Sequence, residues 1–157
     1  MLANSHKTAI ARRGPSAPCV WLAKQERLLG PVLDWGCGRG ADVRFIRNAY
    51  GYDPHYQPKL PDEGELFNTV LCTYVLNTIP EYHDRVVVIQ EIMPYLAVGG
   101  WLYVTIRANP DSLKGWTSKG TWQVYVGDQL EMGGFRCIRK VRDYEIWGWQ
   151  KSPDWVE

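Results

Sequence analysis

The sequence predicts an α/β domain on a mostly parallel sheet that closes with an antiparallel carboxyl-terminal hairpin. Three observations predict it. Apolar runs of strand length alternate with stretches of helical period from residue 19 to residue 132. The first run, Val32-Leu33-Asp34, passes straight into Trp35-Gly36-Cys37-Gly38-Arg39-Gly40, and a second run ends on Asp53. The last two runs, Phe135 to Val141 and Tyr144 to Gln150, are separated only by Arg142-Asp143, the length of a hairpin turn.

Taken in order, residues 1–18, with Gly14, Pro15 and Pro18, read as an extended basic arm, and residues 19–157 as a single domain. Pro18 opens a helical stretch through Leu22 and Leu29, which Gly30-Pro31 ends. Val32 to Asp34 is the first strand, Ala41 to Asn48 a short helix with its amino end at the glycines, and Tyr50 to Asp53 the second strand. Only residues 54–66 separate Asp53 from the next apolar run, Phe67 to Cys72, too few for a helix, a strand and a second helix. Pro80-Glu81 starts a helix through Met93, Gly99-Gly100 ends that region, and Trp101 to Ile106 is a strand. Residues 108–122 read as a polar loop, followed by a short helix up to Met132 and the closing hairpin.

The glycine turn carries the chemistry. Glycines at 36, 38 and 40 let bare backbone approach a ligand where a side chain would collide. Asp53 follows Asp34 by 19 positions, the interval at which a Rossmann-type unit places a carboxylate for a ribose hydroxyl pair. The spacing G-x-G-x-G differs from the dinucleotide G-x-G-x-x-G. In open sheets of this kind ligands sit outside the carboxyl ends of the strands, here Asp34, Asp53, Cys72 to Asn77 and Arg107.

At 157 residues and 45% hydrophobic content the chain can bury one core, with little left for a separate substrate domain. No secretory signal and no run of about 18 apolar residues is present, so the expected location is cytoplasmic and no membrane partner is expected. Cys19, Cys37, Cys72 and Cys137 lack paired or histidine-flanked spacing, which excludes a disulfide framework and a zinc site; no metal is expected. The net charge of +1 is unevenly spread: residues 1–50 carry eight Lys/Arg against three Asp/Glu, residues 51–100 two against seven. The basic end is where an anion can dock, although a solvated terminal arm explains the same bias.

The turn D-W-G-C-G-R-G, the strand end G-Y-D-P, the segment F-N-T-V-L-C-T-Y-V-L-N-T-I-P and the passage L-A-V-G-G-W-L-Y-V-T-I-R resemble the class I S-adenosylmethionine-dependent methyltransferases over about residues 28 to 150. With His6-Lys7-Thr8-Ala9-Ile10 and Val75-Leu76-Asn77 added, the chain is similar to the methyltransferases associated with DNA phosphorothioation systems, in a minimal form. The resemblance implies a Rossmann-like sheet, from which the short 54–66 segment leaves out the third strand, and S-adenosyl-L-methionine as cofactor. It implies cofactor contacts at Asp34, Gly36, Gly38, Gly40, Asp53 and Pro54, and at Cys72, Thr73 and Tyr74 where the strand end faces the acceptor. The shortened 54–66 segment removes the acid that usually meets adenine, leaving Tyr56, Asp62 or backbone groups for that task.

Methyl transfer is an in-line displacement from a sulfonium, so such a protein chiefly aligns donor and acceptor and needs no obligatory catalytic side chain. Trp35, Tyr52 and Tyr74 fall on the expected ligand side, where aromatic faces suit a cation; core packing is the commoner role for each. Cys72-Thr73-Tyr74-Val75 stands where amino-methylases of bases carry a D/N/S-P-P-aromatic tetrad, which disfavours exocyclic amines as acceptors. Lys7 and Arg12 in the arm, with Arg107, Lys119 and Trp122 around the polar loop, form the expected acceptor contacts, and a nucleic acid or nucleotide is the favoured acceptor. A small-molecule methyltransferase and a non-catalytic S-adenosylmethionine-binding protein are the alternatives.

Overall fold

The computed structural model describes residues 9, 11–108, 114–117, 120 and 122–155. Along the chain run α1 (Ala17–Lys24), β1 (Val32–Trp35), α2 (Ala41–Phe45), β2 (Ala49–Tyr52), β3 (Phe67–Thr73), α3 (Tyr82–Ile92), β4 (Leu96–Arg107), β5 (Lys114–Trp116), β6 (Trp122–Val124), α4 (Gly127–Met132), β7 (Arg136–Lys140) and β8 (Tyr144–Gln150). Single 3-10 turns at Leu76–Thr78 and Met93–Tyr95 follow β3 and α3.

Six strands form one sheet in the order β2-β1-β3-β4-β8-β7. The first four are parallel, with Leu33 opposite Tyr50 on one side and Val70 on the other. β8 runs antiparallel to β4 and to β7. The chain goes from β1 outward to β2 and then crosses back to β3, so the order reverses between β1 and β3, the position where such sheets open a crevice for ligands. Between Pro54 and Leu66 the backbone forms only the single bridge Asp53–Gln57, and the expected missing third strand is missing.

Alternation along the strands divides the apolar side chains between two faces. Leu33, Val70, Cys72, Leu102, Val104 and Trp147 pack under α3 and α4 through Val88, Ile92 and Leu130. Val32, Leu71, Tyr103 and Ile146 pack under α1 through Cys19 and Leu22, together with Ile46 just beyond α2. A sheet covered on both faces explains why the parallel strands read as near-continuous apolar runs.

Four sequence expectations are corrected. α1 ends at Lys24, not at Leu29, because Glu26 adopts φ 56° and closes a Schellman motif in which Glu26 N–H reaches Ala23 O and Arg27 N–H reaches Leu22 O, both at 3.0 Å. α2 stops at Phe45 because Ile46 turns extended and inserts its side chain into the core. β4 begins at Leu96, ahead of the Gly99-Gly100 pair expected to end that region. The diglycine lies inside a bulge of that strand, where the pairing jumps from Phe67–Leu96 to Thr69–Trp101 and a Cβ on Gly100 would lie 2.8 Å from Ala97 O. Finally, the 108–122 region is not only loop: β5 and β6 pair as a short antiparallel ribbon, Trp116 opposite Trp122.

Candidate functional site

The carboxyl ends of β1, β2, β3 and β4 converge around the glycine turn. Gly36 N–H at 2.7 Å and Cys37 N–H at 3.0 Å share the Tyr52 carbonyl, tying the turn to the end of β2. Gly36 has φ 80°, and a Cβ there would overlap the Val75 Cγ2 methyl, so both conformation and proximity require glycine. Gly38 is likewise left-handed and buried, while Gly40 opens α2 from its amino-cap position.

Asp53 sits where the spacing placed it. Its Oδ2 accepts Gly38 N–H at 2.9 Å and its Oδ1 accepts His55 N–H at 2.9 Å and Tyr56 N–H at 3.0 Å. These three bonds fix the carboxylate and leave acceptor capacity on Oδ2. Pro54 is exposed at the start of the turn they close. Beside it the Arg39 guanidinium lies 5.4 Å from the Tyr56 ring centre.

Asp34 is buried, 2% exposed, and its Oδ1 has no hydrogen-bond partner among the described residues. Burial first, then Asp42 and Asp53, push its carboxyl up to about 8, with Arg12 acting in the opposite direction. A cation delivered here would satisfy the orphaned oxygen and restore the ionised form. That acceptor suits the ammonium of a methionine moiety, and the glycine turn beside it gives bare backbone for the rest of such a ligand.

At the end of β3, Tyr74 is a non-glycine residue at φ 60°, its N–H bound to Thr105 O at 2.8 Å. The Arg107 guanidinium lies 4.6 Å from the Tyr74 ring centre and that of Arg12 6.0 Å. Burial raises the Tyr74 phenol, and the two guanidiniums oppose it. Three of the expected site residues thus meet at one point. Trp122, on β6, stands edge-on to Trp116 with ring centres 5.6 Å apart, and its buried Nε1 has no partner among the described residues. Lys7 and Lys119, like His6 and Thr8, lie outside the described residues.

Other expectations shift. Trp35 and Tyr52 are partners in packing, ring centres 4.4 Å apart, and Trp35 is buried in the α3-side core against Tyr95 rather than at the ligand side. The Cys72 side chain is fully buried in the same core, with its thiol pushed up by burial, so only Thr73 and Tyr74 of the strand end stay partly exposed.

The chain matches the model of a family described as "Methyltransferase domain" over residues 11–149. It belongs to that family. Comparison with curated protein sequences finds no match. Among solved structures, this methyltransferase domain is similar to the 1,6-didemethyltoxoflavin-N1-methyltransferase of Burkholderia thailandensis, crystallised with 1,6-didemethyltoxoflavin and S-adenosylhomocysteine. Identity is 15%, coverage 87% of this chain and 77% of that one, and the TM-score 0.63. The N-methyltransferase NodS of Bradyrhizobium japonicum WM9, in complex with S-adenosylhomocysteine, is 12% identical over 96% of this chain and 98% of that one, TM-score 0.63. An S-adenosylmethionine-dependent methyltransferase of Clostridium acetobutylicum is 11% identical over 86% and 90%, TM-score 0.60. At these identities the likeness shows the fold: a class I, Rossmann-like methyltransferase sheet.

The side-chain pairs that brace the strand ends were not legible in the sequence, although Asn77 itself stood in the expected strand end. Asn77, in the turn after β3, donates from Nδ2 to Gln123 Oε1 at 2.7 Å and holds β6 over the strand ends; its buried Oδ1 has no partner among the described residues. Glu145, buried on β8, accepts the Tyr125 hydroxyl at 3.0 Å and the Trp147 indole N–H at 3.0 Å, fixing the passage from β6 to α4. Ser16 and Asp42 bind each other across 26 positions of sequence. Apart from Glu145 and Trp147 on the same strand, none of these pairs has a local spacing signal. Among the described residues no helix is long and apolar enough to cross a membrane.

Proposed function

We propose that this chain is an S-adenosylmethionine-dependent methyltransferase whose acceptor is a nucleic acid or a nucleotide. The observation that carries the acceptor reading is the grouping of Arg107 and Arg12 around Tyr74, beside the glycine turn. Two guanidiniums at a strand end suit a phosphate-bearing acceptor, and Trp116, 65% exposed on the ribbon, offers a face for a base. The resemblance of the arm and the glycine turn to methyltransferases associated with DNA phosphorothioation systems supports the same reading.

When bound, S-adenosylmethionine supplies an activated methyl group on sulfur. The residues here do the rest by placement. Asp34 would meet the ammonium, Asp53 would offer its remaining acceptor position to a ribose hydroxyl, and the turn at 36–40 would pack bare backbone against the ligand. Arg39 and Tyr56 flank the shortened segment where adenine recognition must be rebuilt. Tyr74 and Thr73 border the transfer point, and the ribbon docked through Asn77 and Gln123 shields it from water.

The test is transfer of tritiated methyl from S-adenosylmethionine to mixed single- and double-stranded oligonucleotides, beside a low-molecular-weight metabolite fraction, for the parent and Arg107→Ala. The reading expects label in the oligonucleotides, reduced in the variant and falling steeply with salt. Label confined to the metabolite fraction would make the chain a small-molecule methyltransferase, and cofactor binding with no transfer would leave a non-catalytic binding protein.

A further inference from the structure

The segment before α1 is fastened to the helix that follows the glycine turn. Ser16 donates its N–H to Asp42 Oδ1 at 2.6 Å and its hydroxyl to Asp42 Oδ2 at 2.8 Å. Both residues are buried, at 3% and 6% exposure. The same Ser16 Oγ accepts Cys19 N–H at 3.4 Å as the amino cap of α1. Asp42 lies two positions beyond Gly40, so one carboxylate joins the cofactor loop to the arm.

From this anchor Ala9 and residues 11–16 lie back over the site. Arg12 is 6.0 Å from the Tyr74 ring centre and near enough to Asp34 to favour its charge. The Ala9 methyl would stand 3.2 Å from a Cβ placed on Gly38. Tyr74, Asp34 and Gly38 belong to three different strand ends or turns, and one short segment faces all of them. A solvated terminal arm, the simplest reading of its basic composition, would make none of these contacts.

We propose that Ala9 and the segment from Ala11 to Ser16 form one wall of the S-adenosylmethionine site, and that Ser16 and Asp42 are the positioning pair that holds it there. The inference rests on the cofactor reading above. A wall anchored before binding spares the complex the conformational entropy of ordering a loose arm. Because Asp42 is on α2, the arm keeps its register with the glycine turn and with Asp34.

Two measurements use S-adenosylhomocysteine as the probe. Hydrogen exchange of the parent with saturating probe should protect the amides of residues 11–14 and 16 together with those of 34–40; protection confined to the glycine turn would overturn the proposal. In calorimetric titrations Asp42→Ala should raise the Kd about tenfold, the scale of losing a charge-assisted hydrogen bond. Asp42→Asn, whose amide can still accept the Ser16 N–H and donate to its hydroxyl, should stay within about twofold. If Asp42→Ala does not fold, Ser16→Ala replaces it and should weaken binding in the same direction. Unchanged or tighter binding in the variant used contradicts the proposal, whereas failure of the parent to bind the probe removes the cofactor reading itself.

Discussion

The carboxylate of Asp53 accepts the backbone N–H of Gly38 at 2.9 Å, so the end of β2 holds the centre of the glycine turn. The carboxylate braces the turn and keeps acceptor capacity on Oδ2, which the proposed reading assigns to the cofactor. Asp53→Ala should lose about 1.5–3 kcal/mol of S-adenosylhomocysteine affinity, the range for a hydrogen bond to a charged group. Calorimetric titration measures it, and an unchanged Kd would remove Asp53 from the site.

Gly36 and Gly64 share a left-handed backbone, at φ 80° and 88°, but differ in surroundings. Gly64 has open space where a Cβ would go, whereas a Cβ on Gly36 would overlap Val75. Gly64→Ala should cost about 1 kcal/mol from backbone strain alone. Gly36→Ala should cost about 3 kcal/mol or more, since strain and overpacking act together. Denaturant unfolding of the two variants gives the comparison; equal losses would show that the turn tolerates a side chain.

Asp34 titrates in a range where its effect on stability can be followed. With the folded carboxyl raised to about 8, the native state holds a proton that the unfolded chain has released above about 4. Stability of the ligand-free protein should therefore fall as pH rises from about 4 to about 8 and level off beyond. Asp34→Asn should flatten that slope and gain stability at pH 8, by an amount on the order of a few kcal/mol. Cofactor binding should release a proton below pH 8, because a cation at Oδ1 favours the ionised carboxyl. Thermal melts across pH, and titrations in buffers of different ionisation enthalpy, read the two effects; a pH-independent difference between parent and Asp34→Asn would contradict them.

What the sequence made legible is what is local. Asp34, the glycine turn and Asp53 lie within 20 residues, and their identities alone dictate a tight turn between two parallel strands. The missing third strand could be read because 13 residues limit what the chain can build. The Gly99-Gly100 bulge was not readable, because its reason is Asn68 and Phe67 on the neighbouring strand. Nor was the end of α1, where Glu26 takes a conformation usually left to glycine. Ser16–Asp42 and Asn77–Gln123 join residues 26 and 46 positions apart, and single polar residues at such distances carry no periodicity to detect.

The claim on which the rest depends is that the turn at 36–40, with Asp34 and Asp53, binds S-adenosylmethionine. Its most direct test is calorimetric titration of the full chain with S-adenosylhomocysteine, followed by competition with S-adenosylmethionine and with a nicotinamide dinucleotide. The account predicts one site per chain, from which S-adenosylmethionine displaces the probe and the dinucleotide does not. No binding of the probe, or tighter binding of the dinucleotide, would contradict it.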